Sequence, residues 1–402
     1  MSGMEKEDMR SGKHIPKPER AKKEFPFFIP WITEEDQSAV SEALHSKWLT
    51  GGPRAEEFER RFSEYVGVKH AVACNSGTAA LHIVLRTLGI RDGDEAIVPV
   101  LTFAATANAP LFVGAKPIFV DVDEKTMNAS PTDISNKITS KTKVIIVVHY
   151  GGQPCDMREI MEIGHDNNIP VVEDCAHSLG ASYMGKMTGG FGAAGCFSFY
   201  PTKIITTLEG GMITTNDEEM AKKARLLREH GMTKTASERE KEASWFYDVV
   251  DLGYNYRLNE VQAALGISQL KRANEMILRR IQGAHLYDEG LSKIDGIRCP
   301  TVAENRKHIY HLYVIRVIEH EYGRDRDKLF KILSTKGIGL SVHYTPLHLL
   351  SLYKELGYKY GEFPGAEQIY KEILSLPLFP AITSQQISQV MTSISQAQTC
   401  RD

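Results

Sequence analysis

The sequence predicts an α/β protein: a large unit with a seven-stranded, mostly parallel sheet between helices, joined to a smaller α+β unit at the C-terminus. Short apolar runs without strict alternation recur at 70–74, 95–100, 117–122, 143–149, 170–173, 195–199 and 211–215, as strands do when both their faces are covered. Segments of helical spacing lie between them, and strands alternating with helices build a parallel sheet. The 402 residues suffice for two to three domains at about 150 residues each.

Taken in order, residues 1–24 are polar, mixed in charge and patternless, and are expected to form a disordered arm. The segment 25–50 turns apolar and is expected to pack with the small domain. Within it, Thr33 followed by EEDQSAVSEAL has the form of an N-cap with an acidic first turn, opening a helix that runs to near Trp48. The large domain is assigned to 51–273. After Asn216 the spacing is helical through Gly231, and the charged stretch TKTASEREKEASW reads as a surface loop. Leu258, Val261, Leu265, Ile267 and Leu270 suit one face of a helix, which is expected to continue into RANEMILRRIQGAHLYDEGL and lead to the small domain, 274–402. Strands are expected there near 311–317 and 339–344.

Composition excludes several functions. Lys and Arg number 48 against 51 Asp and Glu, a net charge of −3, so nothing points to a nucleic-acid partner. The uncharged stretch 96–115 is long enough to span a bilayer. It contains Pro99, Asn108, Pro110 and Gly114, and reads instead as a buried strand, a turn and a core helix, with no membrane partner. The N-terminus carries no apolar signal segment. Cys74, Cys155, Cys175, Cys196, Cys299 and Cys400 are widely spaced with no C-x-x-C pair, which argues against a metal cluster and for free thiols in the cytoplasm.

Three segments carry chemistry. In CNSGTAAL a strand ends at Cys74 and a helix starts after the turn Asn75-Ser76-Gly77-Thr78. Backbone amides at a helix start form an anion site, with Gly77 permitting close approach and Thr78 adding a hydroxyl; simple N-capping is the plain alternative. In VVEDCAHSLG a strand delivers Glu173 and Asp174 at its carboxyl end, where open α/β sheets bind ligands; an Asp there can also merely cap a helix. In GCFSFYPTKIITTLEGG Lys203 follows a strand in apolar surroundings, where lost hydration lowers the amine's pKa and makes it nucleophilic; a lone loop lysine is otherwise an exposed cation. A phosphate site, an acid and a lysine at the carboxyl ends of one sheet are the parts pyridoxal 5′-phosphate requires.

GTAAL, EDCAHSLGA, CFSFYPTK with EGGMITTND, and LGYNYRLNEVQAALG resemble the signature segments of the DegT/DnrJ/EryC1/StrS family of nucleotide-sugar aminotransferases, fold type I pyridoxal-phosphate enzymes. The resemblance runs from about Phe25 to the C-terminal PLFP. It implies that Lys203 is the Schiff-base lysine and Asp174 the partner of the pyridine nitrogen. It likewise implies that Gly77, Thr78 and Ser198 contact the phosphate, that Phe103 stacks on the ring, and that Asn255 is lent to the phosphate by the neighbouring subunit of a homodimer. His177 stands where many relatives have a glutamine on the ring hydroxyl. Without the resemblance, Phe103 reads as core and Asn255 as a helix cap.

The family's reaction is ping-pong transamination with glutamate as amino donor and a nucleotide-linked keto-sugar as acceptor. WLTGGPRAEEFE and WFYDVVDLGYNYR are more similar to members that aminate C4 of a UDP-linked 4-keto-6-deoxy sugar than to the C3 enzymes. Thr50, Lys186, Arg257, His343 and Tyr344 are candidate contacts for sugar and diphosphate, and each also reads as a surface polar residue. Two rivals stand beside this reading. A pyridoxal-dependent sugar dehydratase, a lyase, has histidine at the lysine position, and a non-catalytic cofactor-binding regulator keeps the fold without turnover.

Overall fold

The computed structural model describes residues 25–235, 239 and 242–399. The arm expected over 1–24, part of the expected surface loop, and Cys400 lie outside them. Helices α1 (Glu34–Leu44) and α2 (Pro53–Val66) lead into an alternating unit: β1 (His70–Cys74), α3 (Gly77–Thr87), β2 (Glu95–Pro99), α4 (Ala104–Phe112), β3 (Lys116–Val120), α5 (Pro131–Asn136), β4 (Thr142–Val148), α6 (Met157–Asp166) and β5 (Val171–Asp174). The short pair β6 (Ser182–Tyr183) and β7 (Lys186–Met187) precedes β8 (Ala194–Ser198), β9 (Gly211–Thr215) and α7 (Glu218–Arg228). All seven strands expected from the sequence lie in one sheet, ordered β1-β9-β8-β5-β4-β2-β3. Only β9 runs antiparallel, to both of its neighbours.

Strand parity decides what each face holds. Val72, Val98, Val144, Ile146 and Val172 pack with Leu81, Val84 and Leu85 of α3, whereas Ile97, Ile145, Val147 and Val171 pack with Met157 and Ile160 of α6. Asp174 shares the parity of Val172, on the α3 side. Glu173 takes the opposite side, where its carboxylate accepts from the amides of Gly189 (2.8 Å), Phe191 (2.7 Å) and Gly192 (2.9 Å) and pairs with His149 Nε2 at 3.1 Å. The sequence offers both acids to the site; the fold spends Glu173 on a turn. Cys175 joins His149 and Glu173 in a fully buried trio, but His149 Nδ1 accepts from the Cys155 amide at 3.1 Å, so hydrogen bonds already engage the imidazole and the carboxylate.

Three expectations need correction. The first helix stops at Leu44, short of Trp48, where Ser46 Oγ lies 2.7 Å from the Ala43 carbonyl and 2.6 Å from that of Trp48, competing with the helical ladder. The single long helix is two, α8 (Glu260–Lys271) and α9 (Ala273–Leu291), meeting at Arg272 with φ −108°. The strand expected near 339–344 is one bridge, Ser341 to Ser375, after which the chain leaves the sheet and carries His343 and Tyr344 elsewhere.

The C-terminal sheet is β10 (Ile297–Arg298), β12 (Tyr313–Val317) and β13 (Ile373–Leu376), while β11 (Arg306–Lys307) pairs with β6. β12 begins two residues later than expected, because the amides of Ile309 and Leu312 bond the carbonyls of Gly152 and Gly151 in the larger unit. At the N-terminal end Phe25 bridges Ile338, and Asp36 of α1 accepts from Gln269 and Arg272 at 2.7 and 2.6 Å. The 96–115 stretch divides into β2, a turn and α4, and no helix among the described residues is long and apolar enough to cross a membrane.

Glu260, fully buried at the start of α8, accepts from the amides of Gly52 (3.1 Å), Arg54 (2.9 Å) and Ala55 (3.0 Å). A carboxylate on the orphan amides and positive dipole end of α2 is a strong cap. Glu260→Ala is expected to lower unfolding free energy by about 2–3 kcal/mol, and a denaturation midpoint unchanged from wild type would contradict this.

Candidate active site

A cavity of about 510 Å³ opens at the carboxyl ends of β1, β5 and β8. It is lined by Gly77, Thr78, Phe103, Asp174, His177, Ser198, Lys203, His343 and Tyr344 together with residues the sequence did not single out. At its floor, the Ser76 side chain accepts from the Ala79 amide at 3.0 Å and caps α3. The first amides of α3, at Gly77 and Thr78, have no carbonyl partner within their own helix. A Cβ placed on Gly77 would come 2.9 Å from Ser198 Cβ. The helix start and the end of β8 therefore meet with room only for glycine.

Asp174 is buried, 5 % exposed. The Thr106 hydroxyl donates to Oδ2 at 2.8 Å and the Ala176 amide to Oδ1 at 3.1 Å, while Thr102 Oγ1 lies 2.9 Å from Thr106 Oγ1. Burial raises the carboxyl's pKa, and the Thr106 hydroxyl, the Ala176 amide and the positive charges of Lys203 and His149 oppose it. Such an acid calls for a cation in the cavity.

Lys203, on the turn after β8, lies in the cavity wall. Desolvation brings its amine down to about 8, against the pull of Asp174. In the cofactor-free protein, acylation at Lys203 is accordingly expected to rise with pH as the amine loses its proton and to level off above about 8. Surface lysines titrate near 10.4. A Lys203 peptide whose labelling climbs with those of the surface lysines would contradict the assignment.

His177 Nε2 lies 3.0 Å from Tyr344 Oη, and its Nδ1 is buried without a partner. Burial and the nearby Lys203 push its pKa well down, so the ring is neutral. Behind it His311 packs at a centroid distance of 4.5 Å. Burial brings His343 to about 4; its Nδ1 meets Ser375 Oγ at 2.8 Å, and Tyr150 Oη donates to its carbonyl. Phe103 stands at the N-cap of α4 and is 60 % exposed, unusual for a phenylalanine expected to be core.

These features fit pyridoxal phosphate: a helix start for the phosphate, a buried acid for the ring nitrogen, an unpaired imidazole nitrogen, an open aromatic face and a desolvated amine. Four expected site residues do not line the cavity of their own chain. Thr50 bridges Asn259. Asn255 is exposed and pairs in a bridge with Glu229, and Arg257 Nη1 sits 3.7 Å from Glu229 Oε1. Lys186 lies in β7 with its amine 4.9 Å from the Phe191 ring centroid. Conversely, Phe27, Thr102, Tyr200 and Ser341 reach the cavity. No local pattern marks Phe27 or Ser341, whose arrival depends on the pairing of Phe25 with Ile338 and of Ser341 with Ser375. Tyr200 and Thr202, flanking the Lys203 turn, were within reach of sequence reasoning.

Fold and site define a pyridoxal-phosphate enzyme of fold type I. Residues 30–395 match the DegT/DnrJ/EryC1/StrS aminotransferase family. The chain is 42 % identical over 372 residues to the spore coat polysaccharide biosynthesis protein SpsC of Bacillus subtilis, covering 92 % of this chain and 96 % of that protein. It is 37 % identical over 369 residues to the GDP-perosamine synthase of Caulobacter vibrioides, covering 91 % and 96 %. Among solved structures, the PMP form of the putative sugar aminotransferase Spr1654 from Streptococcus pneumoniae superposes with a TM-score of 0.88 at 33 % identity, covering 93 % of this chain and 99 % of that one. The chain belongs to the DegT/DnrJ/EryC1/StrS aminotransferase family and is a pyridoxal-phosphate-dependent aminotransferase.

Proposed function

We propose that this aminotransferase delivers an amino group from glutamate to C4 of a nucleotide-linked 4-keto-6-deoxy sugar, UDP-linked, for glycan or polysaccharide synthesis. The convergence of Lys203, Asp174 and the start of α3 on one cavity carries the transamination. The substrate class is supported by relatives named for coat polysaccharide biosynthesis and for a GDP-sugar product; C4 and UDP rest on the resemblance of the 48–59 and 245–257 segments.

Pyridoxal phosphate, when bound, supplies an aldehyde that accepts the amino group and a ring that disperses negative charge from carbon. The protein supplies the rest. The Gly77 and Thr78 amides with the Thr78 and Ser198 hydroxyls hold the phosphate, and Phe103 covers the ring. Asp174 keeps a proton on the ring nitrogen, and Thr106 orients that carboxylate. The neutral His177 presents Nδ1 to the ring oxygen. Lys203 Nζ would hold the group between turnovers and would carry the proton at the reacting carbon; an amine near 8 exchanges protons readily at neutral pH.

The reading also takes a homodimer. Trp245 is 86 % exposed and Leu252 73 %, with Phe246, Val249 and Val250 open between them. An apolar strap of this kind next to the outward-facing Asn255 suits a second copy of the chain. Asn255, with Thr50, Lys186 and Arg257, would then complete a neighbour's site, placing cations where the diphosphate of the sugar needs them.

The test incubates the pyridoxamine form with nucleotide 4-keto-6-deoxy and 3-keto sugars and follows regain of the pyridoxal-form absorbance. The UDP-linked 4-keto sugar is expected to react at least about tenfold faster than the others. Faster reaction of a 3-keto sugar would overturn the regiochemistry, and preference for another nucleotide would overturn UDP.

A further inference from the structure

We propose that His82 is a positioning residue for cofactor binding in the neighbouring subunit: its ring clamps Tyr254 and Tyr256 so that Asn255, between them, is held outward toward that subunit's phosphate site. The inference rests on the reading of Asn255 given above and goes beyond it by naming what aims the residue.

The segment is placed first by its backbone. Tyr254 and Tyr256 donate to the carbonyls of Leu227 (2.7 Å) and Arg228 (3.0 Å) at the end of α7, the Tyr254 carbonyl accepts from His230 (2.9 Å), and Asn75 donates to the Tyr256 carbonyl at 2.8 Å. These bonds fix where the segment lies. Extended residues alternate, so Tyr254 and Tyr256 share one side and Asn255 takes the other, and the packing of the tyrosines decides how firmly that arrangement is held. The two tyrosine rings are stacked, 5.0 Å apart at 13°. His82 holds that stack, with its centroid 4.6 Å from Tyr254 and 6.0 Å from Tyr256, and its Nδ1 3.3 Å from Tyr256 Oη. Phe112 closes the cluster at 5.5 Å.

His82 lies one turn beyond Thr78 on the same face of α3. One helix therefore builds its own phosphate site with its first residues and, four residues on, orients the asparagine offered to another copy. Packing alone does not account for a histidine here. The residue is 6 % exposed, and its Nε2 is buried without a partner, a polar atom that an apolar side chain would not leave unsatisfied. Burial and the neighbouring Arg86 push its pKa down, so the ring packs uncharged.

The experiment titrates full-length cofactor-free protein with pyridoxal phosphate and, separately, with pyridoxal, which lacks the phosphate, for wild type, His82→Leu, Asn255→Ala and the double variant. His82→Leu is expected to weaken pyridoxal phosphate binding about tenfold, to leave pyridoxal binding unchanged, and to add nothing to Asn255→Ala in the double variant. A histidine that merely supports α3, and with it the chain's own phosphate site, would add its loss to that of Asn255→Ala in the double variant. Unchanged pyridoxal phosphate affinity in His82→Leu, with weakened binding in Asn255→Ala, overturns the role of His82 and leaves the Asn255 reading intact. Unchanged affinity in both variants overturns that reading itself. Additive losses in the double variant overturn the coupling. Should His82→Leu fail to fold, His82→Asn, which keeps a polar atom near Tyr256 Oη, is expected to show the same selective loss of the phosphate-bearing ligand, and a change from wild type that is equal for both ligands, or absent for both, overturns the proposal.

Discussion

Lys203→Ala is expected to abolish transamination, lowering the rate by about ten-thousandfold, because the amine both anchors the cofactor and carries the proton at the reacting carbon. The fold should survive. Lys203 sits on a turn at the cavity wall, and in the cofactor-free protein its ammonium is disfavoured by desolvation, so truncation to alanine relieves a cost and leaves the packed core untouched. Circular dichroism and the thermal midpoint should match wild type, and the variant should still bind pyridoxal phosphate, more weakly and without a covalent link. Turnover within tenfold of wild type would remove Lys203 from the chemistry.

Asp174→Asn is expected to lower turnover by roughly a hundred- to a thousandfold. The amide is nearly isosteric; its one oxygen can accept from the Ala176 amide and its NH2 can donate to the Thr106 hydroxyl oxygen, at the positions the two carboxylate oxygens occupy, so the change removes charge with little change of shape. Asp174 would supply the negative charge that keeps a proton on the ring nitrogen of the bound cofactor, and the neutral amide would not. Stability of the cofactor-free protein should change little, since burial already penalises the ionised carboxyl there. A loss of threefold or less would mean that another group holds the ring nitrogen. Loss of activity together with loss of folding would instead make Asp174 a structural acid like Glu173.

The contrast between those two acids shows what the sequence conveys and where it stops. VVED announces that carboxylates arrive at a strand's end, and composition and spacing locate all seven strands to within two residues. Choosing between Glu173 and Asp174 takes strand parity relative to α3, which becomes definite only once Val172 and Val171 are seen on their separate faces. The Gly77 turn and Lys203 were legible because each is a local device: a small-residue helix start, and an amine in an apolar stretch. His343 and Tyr344 were placed on a strand end, and they reach the cavity because that strand does not form beyond the single Ser341 bridge. Phe27 and His82 carried no local signal, since a phenylalanine near the N-terminus and a histidine within an apolar helix acquire meaning only from residues more than a hundred positions away, such as His343 and Tyr256. Asn255 is implied by the resemblance, while Thr50, Lys186 and Arg257 are candidate polar contacts that read equally as surface residues, and a single chain leaves all four outside its own cavity.

Borohydride reduction of the holoenzyme, followed by peptide mass spectrometry, bears most directly on the joining of cofactor and chain. The expected result is a single pyridoxyl adduct, on the peptide that contains Lys203. An adduct on a different lysine, or none on a protein that nevertheless transaminates, would contradict the assignment of the site.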